Sequence, residues 1–216
     1  MFTALFCFIY NVVYQMLLII LPLITAPYIA RTLGAEGVGI YSYTYSVAQY
    51  FLLFAMLGIS NHGNRSIAAV REDDCKLSRT FWSIYSIQAF MYVLAIIAYL
   101  IYLFAFNVDN KTIVAIQFIY VVSGALDISW YFFGTEQFKI TVTRNMIIKI
   151  ATVILMFIFV HNPGDLAKYT VIMAGGTFLS QAYLWTYIFR QVDVVKVNWI
   201  DIKKHIKEVI IFIYPK

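Results

Sequence analysis

Residues 80–108 read TFWSIYSIQAFMYVLAIIAYLIYLFAFNV, an apolar run in which no side chain is charged. A helix needs about 20 apolar residues to cross the hydrocarbon core of a bilayer, so this run is predicted to be a transmembrane helix. The whole chain of 216 residues is 62% hydrophobic and 12% charged, where soluble domains carry about 25% charged residues. A water-soluble enzyme and a DNA-binding domain are therefore excluded.

Further apolar runs on both sides of this stretch predict more spans. They cover residues 1–30, 37–64, 112–135, 150–164 and 169–189. The run at 150–164 is short, but Arg144 and Lys149 can snorkel toward an interface and extend that helix to about Thr141. The sequence thus predicts an all-α polytopic membrane protein with a six-helix transmembrane lobe over residues 1–189.

The cations are divided unequally between the loops. Loops that alternate along the chain must lie on opposite sides of the membrane, and 13 of the 16 Lys and Arg residues fall on one side. Only Arg31, Lys111 and Lys168 fall on the other side. Because cytoplasmic loops carry an excess of Lys and Arg, both ends of the chain are predicted to be cytosolic.

The tail after residue 189 is predicted to have two parts. In residues 190–208 the apolar side chains recur every three or four positions beside Lys203, Lys204 and Lys207, which predicts an amphipathic linker helix on the anionic inner leaflet. Residues 209–216 then begin an apolar run that is too short to span a bilayer. We interpret them as the truncated start of a seventh helix and expect the chain to be about half of a protein.

Asp127 is the only carboxylate deep inside a predicted span. Because a charged group in the membrane is costly, such residues usually face a cavity and mark a transport pathway. Spacings of three and four place Asp127 on one helical stripe with Gln117, Tyr120, Gly124, Tyr131 and Gly134. Asn11 and Gln15 form a similar stripe on the first span. These stripes predict an aqueous chamber, and the alternative is close helix packing with interhelical hydrogen bonds.

Motifs for soluble catalysis or metal binding are missing from the sequence, which has no phosphate-binding loop, no H-E-x-x-H and no G-x-S-x-G. His62, His161 and His205 are dispersed, and none is predicted to bind a metal or relay protons. We therefore predict no enzyme activity, no cofactor and no nucleic-acid partner.

Three segments carry a family resemblance: ARTLGAEGVGIYSYTY at 30–45, LGISNHGNRSIA at 57–68 and LDISWYFFGTEQF at 126–138. With IYNVVYQ at 9–15 and RNMIIK at 144–149, the chain resembles the Wzx-type polysaccharide biosynthesis flippases. These are the O-antigen and capsule repeat-unit exporters of the multidrug/oligosaccharidyl-lipid/polysaccharide superfamily.

The resemblance implies the amino-terminal lobe of a two-lobe exporter in the bacterial cytoplasmic (inner) membrane. The implied substrate is an undecaprenyl-diphosphate-linked glycan, and the implied partners are membrane lipid, a polysaccharide polymerase and other assembly proteins. Arg65, Arg144 and Lys149 would meet the diphosphate, and Arg31 would lie at the outer gate. The alternative role of these cations is plain positive-inside anchoring.

Other functions stay open at this point. Drug/cation antiporters of the same superfamily commonly carry an acidic residue in their first helix, and residues 1–30 contain none. A lipid II flippase and a non-transporting membrane scaffold for glycan assembly are further alternatives. An enzyme acting on polyprenyl phosphate is disfavoured because the sequence has no acidic metal motif.

The unequal distribution of cations predicts the orientation of the chain. Reporters fused after Lys76 and after Lys204 are expected in the cytoplasm, and reporters near Lys111 and Lys168 outside it. A reporter enzyme that is active only outside the cytoplasm measures this. Activity of the fusion at Lys76 would reverse the whole orientation.

Overall fold

The computed structural model describes the backbone of residues 2–213 and the side chains of residues 19–209. Within this part of the chain the structure is helical and contains no strand. The helices are α1 (Phe2–Met56), α2 (Ile59–Val70), α3 (Asp74–Ala105), α4 (Lys111–Ala125), α5 (Ser129–Gly134), α6 (Phe138–Phe159), α7 (Leu166–Ile188) and α8 (Trp199–Ile213), with a 3₁₀ turn at Pro163–Asp165. The side chains of Asn11 and Gln15 lie outside the described residues.

Helices occupy most of each predicted span, and among the described residues three are long and apolar enough to cross a membrane. These are α3, the unit formed by α4 and α5 (Lys111–Gly134), and α6. Their outward faces are apolar, and Phe90, Phe104 and Ile147 are each more than half exposed. The predicted class, an all-α membrane protein, is confirmed. That α1 and α7 also cross the membrane stays a prediction.

Two glycines with positive φ mark the ends of helical segments. Gly34 has φ 71° and interrupts α1, so the loop predicted at 31–36 is a kink between two helical segments. Gly58 has φ 76° and separates α1 from α2. Positive φ is accessible to glycine at little steric cost, and the helix can change direction there. The predicted span at 37–64 is therefore wrong in its length, since α1 ends at Met56 and α2 continues to Val70.

The predicted span over residues 112–135 corresponds to Lys111–Gly134, but it is not one continuous helix, because the chain leaves the helix at 126–128 between α4 and α5. Farther along, α6 begins at Phe138, before Thr141. The tail helix α8 runs without interruption across position 208.

Hydrogen bonds gather the loops at two opposite ends of the helices. Near the start of α6, the Trp82 indole donates to the Asp193 carbonyl oxygen over 2.9 Å, and the amides of Gln137 and Gln191 bond to each other. Near the end of α6, the Tyr28 hydroxyl donates to the Val160 carbonyl oxygen over 2.7 Å. The loops predicted to be cytosolic thus share the first end.

The start of α7 is fixed by the carboxylate of Asp165. It accepts hydrogen bonds from the backbone N–H groups of His161 and Asn162, each 3.0 Å away, and pairs with Lys168 over 2.7 Å. The Lys168 ammonium, with these two N–H groups, lowers the pKa of Asp165 to about 2. The turn therefore keeps its negative charge near the N-terminus of the helix, where the helix dipole favours it.

An aromatic core lies at the end that carries the 126–137 and 190–198 segments. Phe81 is fully buried, with its ring centroid 5.5 Å from Trp130 and 5.4 Å from Tyr131. The apolar face of α8 packs on this core through Ile202, Ile206 and Val209. Ile202 and Ile206 belong to the linker that was predicted to lie on the inner leaflet, and they are partly buried against the protein.

The helices α6 and α7 pack closely where Gly176 faces Thr152. A Cβ atom built on Gly176 would overlap the Thr152 methyl group, whereas one built on the neighbouring Gly175 meets nothing within 4 Å. A side chain therefore fits at position 175 but not at position 176.

This contrast predicts opposite effects of two matched substitutions. Gly176→Ala is expected to destabilise the protein by about 1–3 kcal/mol through overpacking. Gly175→Ala is expected to stabilise it by up to about 1 kcal/mol, because alanine favours helix more than glycine does. Thermal unfolding of the purified variants in detergent measures both, and equal unfolding temperatures would show that α6 and α7 are not in contact here.

Candidate functional site

A cavity of about 310 Å³ lies between α6 and α7 and brings together two of the four cations predicted to bind substrate. Arg144 and Lys149 both line it. The other lining residues are neutral: Asn145, Ile148, Thr152, Met173, Gly176, Thr177, Ser180 and Gln181.

Arg144 is held against α7 by hydrogen bonds. Its Nη1 donates to the Ser180 carbonyl oxygen and to Gln181 Oε1, both at 3.1 Å, and its Nη2 donates to Asn145 Oδ1 at 2.9 Å. The side chain is only 5% exposed. The prediction that Arg144 snorkels toward an interface is therefore wrong, since it points into the helix bundle.

Lys149 places a second positive charge farther along α6. At 1.5 Å per residue it lies about 16 Å from the helix start at Phe138, near the middle of the span. Its side chain is half-buried. Because the described lining of the cavity contains no carboxylate, Lys149 makes this a place within the membrane that favours an anion.

An apolar groove of about 510 Å³ adjoins the cavity and shares Arg144 and Ile148 with it. Ile147, Leu179, Ala182, Tyr183 and Thr186 complete its lining. A cationic polar cavity beside an apolar groove suits an amphiphile that carries an anionic head group.

Arg65 and Arg31 are not among the residues that line this cavity. Arg65 is exposed on α2, whose buried residues include His62 and Ile67. Arg31 is exposed on α1, three residues before the break at Gly34. The structure therefore does not bring these two cations together with Arg144 and Lys149.

Asp127 lines a separate cavity of about 540 Å³ with residues of α1 and α3, among them Gln49 and Tyr92. Its Oδ1 accepts a hydrogen bond from the Ser129 N–H over 2.9 Å. The carboxylate thus supports the backbone where α5 begins and also faces the cavity.

The other residues of the predicted stripe are not gathered in this cavity. Gln117 is buried and donates to Thr44 Oγ1 over 3.3 Å, and the Tyr120 hydroxyl lies 3.2 Å from that of Tyr41. Tyr131 is buried in the aromatic core. Gln117 and Tyr120 lie on one face of α4, and the break at 126–128 separates that face from Tyr131 on α5. The contacts of all three side chains are interhelical packing and hydrogen bonds.

Gln88 is an important residue that the sequence reading missed. Its Nε2 donates to the Asp127 carbonyl oxygen over 2.9 Å, and its Oε1 accepts from Trp130 Nε1 over 2.8 Å. Trp185 Nε1 donates to the Leu126 carbonyl oxygen over 3.0 Å. The sequence feature that could have indicated this role is a single glutamine within the uncharged apolar run at 80–108.

Comparisons with known proteins agree with the predicted class. The family model described as polysaccharide biosynthesis protein matches residues 7–213. A protein of Escherichia coli (strain K12) named "Putative O-antigen transporter" is 28% identical over 187 residues, which cover 84% of this chain and 43% of that protein. The chain thus spans less than half the length of this curated relative. No solved structure matches the chain.

The hydrogen bonds of Gln88 predict a large effect of replacing it. Gln88→Leu leaves the Trp130 N–H and the Asp127 carbonyl without this partner, and each such buried group costs about 1–3 kcal/mol. We expect a lower unfolding temperature in detergent. Gln49→Leu, the same change at a half-buried position beside Asp127, is the control and should change stability much less. Equal losses would mean that Gln88 does not support the break.

Proposed function

Because the chain belongs to the polysaccharide biosynthesis protein family, we propose that it transports a lipid-linked oligosaccharide across a membrane. The substrate is an undecaprenyl-diphosphate-linked repeat unit of O-antigen, capsule or another surface polysaccharide. It is moved from the inner to the outer leaflet of the bacterial cytoplasmic membrane, where a polymerase and other assembly proteins use it. The name of the Escherichia coli relative supports this substrate class.

The cavity formed by Arg144 and Lys149 carries the proposal. A diphosphate has several anionic oxygens, and a guanidinium can bind two of them through paired, charge-assisted hydrogen bonds. Lys149 contributes a point charge nearer the middle of the span. Together these side chains would compensate the charge of the head group while it is inside the membrane.

The rest of the substrate fits the surfaces around these cations. The apolar groove that shares Arg144 and Ile148 with the cavity offers a path for the prenyl chain. The amides of Asn145 and Gln181 offer donors and acceptors for sugar hydroxyls. A single amphiphile would thus contact both surfaces at once.

The remaining predicted residues have roles along the same path. Arg65, exposed on α2, would meet the diphosphate at the cytosolic mouth, and Arg31 would act at the outer gate. Asp127, in its own cavity, would couple transport to an ion. Transport of this kind needs binding and movement without making or breaking a bond, so we propose a flippase and no enzyme.

The test is the binding of undecaprenyl diphosphate to the purified chain in lipid nanodiscs. Lys149→Met removes one charge from the cavity and is expected to weaken binding about 10- to 100-fold, the equivalent of one charged hydrogen bond. Lys139→Met is the matched control, since Lys139 is exposed on the same helix outside the cavity. Uncharged undecaprenol should bind equally to all three proteins.

Two results would contradict the proposal. One is wild-type binding of the diphosphate by Lys149→Met. The other is a preference of the wild-type chain for undecaprenol over undecaprenyl diphosphate. If Arg65→Ala alone lost binding, the diphosphate would bind at the mouth on α2 and the α6–α7 cavity would be rejected.

A further inference from the structure

His62 and His205 lie 143 positions apart in the sequence and touch in the structure. His62 Nε2 is 2.9 Å from His205 Nδ1, and the two ring centroids are 5.2 Å apart. His62 is on α2 and His205 is on α8, so the pair joins the tail helix to the lobe. The sequence alone gave no reason to place them together.

Glu208 completes a group of three potential ligands. Its Oε2 lies 3.7 Å from His62 Nδ1. One donor atom from each of His62, His205 and Glu208 lies within 4.8 Å of the others. The His62 side chain is 2% exposed and that of Glu208 is 45% exposed. The group is therefore buried at His62 and accessible to solvent at Glu208.

We propose that His62, His205 and Glu208 bind a divalent transition-metal ion such as Zn²⁺ at the junction of α2 and α8. Two imidazoles and one carboxylate are a ligand set that zinc accepts, with metal–ligand distances of about 2.0–2.2 Å. Those distances place tetrahedral ligand atoms about 3.3–3.5 Å apart. His62 Nε2 and His205 Nδ1, now 2.9 Å apart, would separate by a few tenths of an ångström, and the Glu208 carboxylate, now nearest to His62 Nδ1, would turn toward the ion.

A cavity beside these residues would give an ion access to the site and leave one coordination position open. A cavity of about 390 Å³ reaches His205 and Glu208, and Asp201 also lines it. Spacings of four and three residues place Asp201, His205 and Glu208 on one face of α8. Lys76, Arg79 and Lys204 line the same cavity and would favour an anion or hydroxide as the remaining ligand.

The protonation of His205 is compatible with this role. Burial lowers the pKa of His205 below its ordinary value, which favours the neutral ring. A neutral imidazole is the form that binds metal ions. A bound ion would have ligands on both α2 and α8. It would therefore hold the basic tail helix against the lobe.

The experiment titrates the purified full chain in detergent with Zn²⁺ by calorimetry and with Co²⁺ by visible absorption. Wild type is expected to bind one equivalent of either ion. His205→Ala and Glu208→Gln are expected to weaken binding at least about 10-fold, since even residues that only support a metal ligand cost about 10- to 100-fold. His161→Ala, at an exposed histidine elsewhere, is the matched control and should bind like wild type.

Thermal unfolding separates loss of the site from loss of the fold. Zn²⁺ should raise the unfolding temperature of wild type and of His161→Ala, and leave that of His205→Ala unchanged, because a ligand stabilises only the state that binds it. The proposal is overturned if wild type binds neither ion. It is equally overturned if folded His205→Ala and Glu208→Gln keep wild-type affinity.

Discussion

A helix that breaks inside a membrane exposes backbone groups for which lipid offers no hydrogen-bond partner, and the chain meets this constraint at 126–128. Trp185 of α7 satisfies the carbonyl of Leu126, Gln88 of α3 satisfies that of Asp127, and the Asp127 carboxylate accepts the first N–H of the next helix. Because these donors come from two other helices, the break fixes how α3 and α7 sit against α4. Trp130 then bonds to Gln88 and extends the network into the aromatic core.

The same constraint explains why Arg144 faces the protein. An arginine that cannot reach water or head groups needs acceptors, and α7 offers the Ser180 carbonyl and the Gln181 amide within 3.1 Å. The side chain that joins α6 to α7 therefore also contributes, with Lys149, to the positive charge of the cavity. Arg144 both holds α6 against α7 and lines the proposed binding site. Replacing it would therefore change helix packing and binding together.

The sequence predicted the helices well because the lengths of apolar runs are set by bilayer thickness. It predicted Arg144 and Lys149 as a pair, and the structure brings both to one cavity. It predicted an interruption at 31–36, where Gly34 kinks α1, but it did not predict the break at Gly58, because a single glycine inside an apolar run leaves no trace in hydropathy. The contacts of Gln88 and of the histidine pair join residues 39 and 143 positions apart. Such contacts depend on the packing of whole helices, which no local pattern encodes.

The way α6 is held has a physical consequence for the cavity. Along its length α6 buries only Thr141, Arg144 and Met156, while Ile147, Ile154 and Ile158 are exposed as an apolar face. Lipid chains are as apolar as isoleucine, so this face gives no hydrophobic force that presses α6 onto α7. The inner side of α6 packs on α7 through an apolar cluster that includes Val153, Met156, Leu166 and Ile172. The close contact at Gly176 and the hydrogen bonds of Arg144 add to this packing farther along the two helices. In the proposed transport, an anion that draws the Arg144 guanidinium away from Ser180 would remove one of the contacts that hold α6 against α7, and head-group binding would then favour movement of α6.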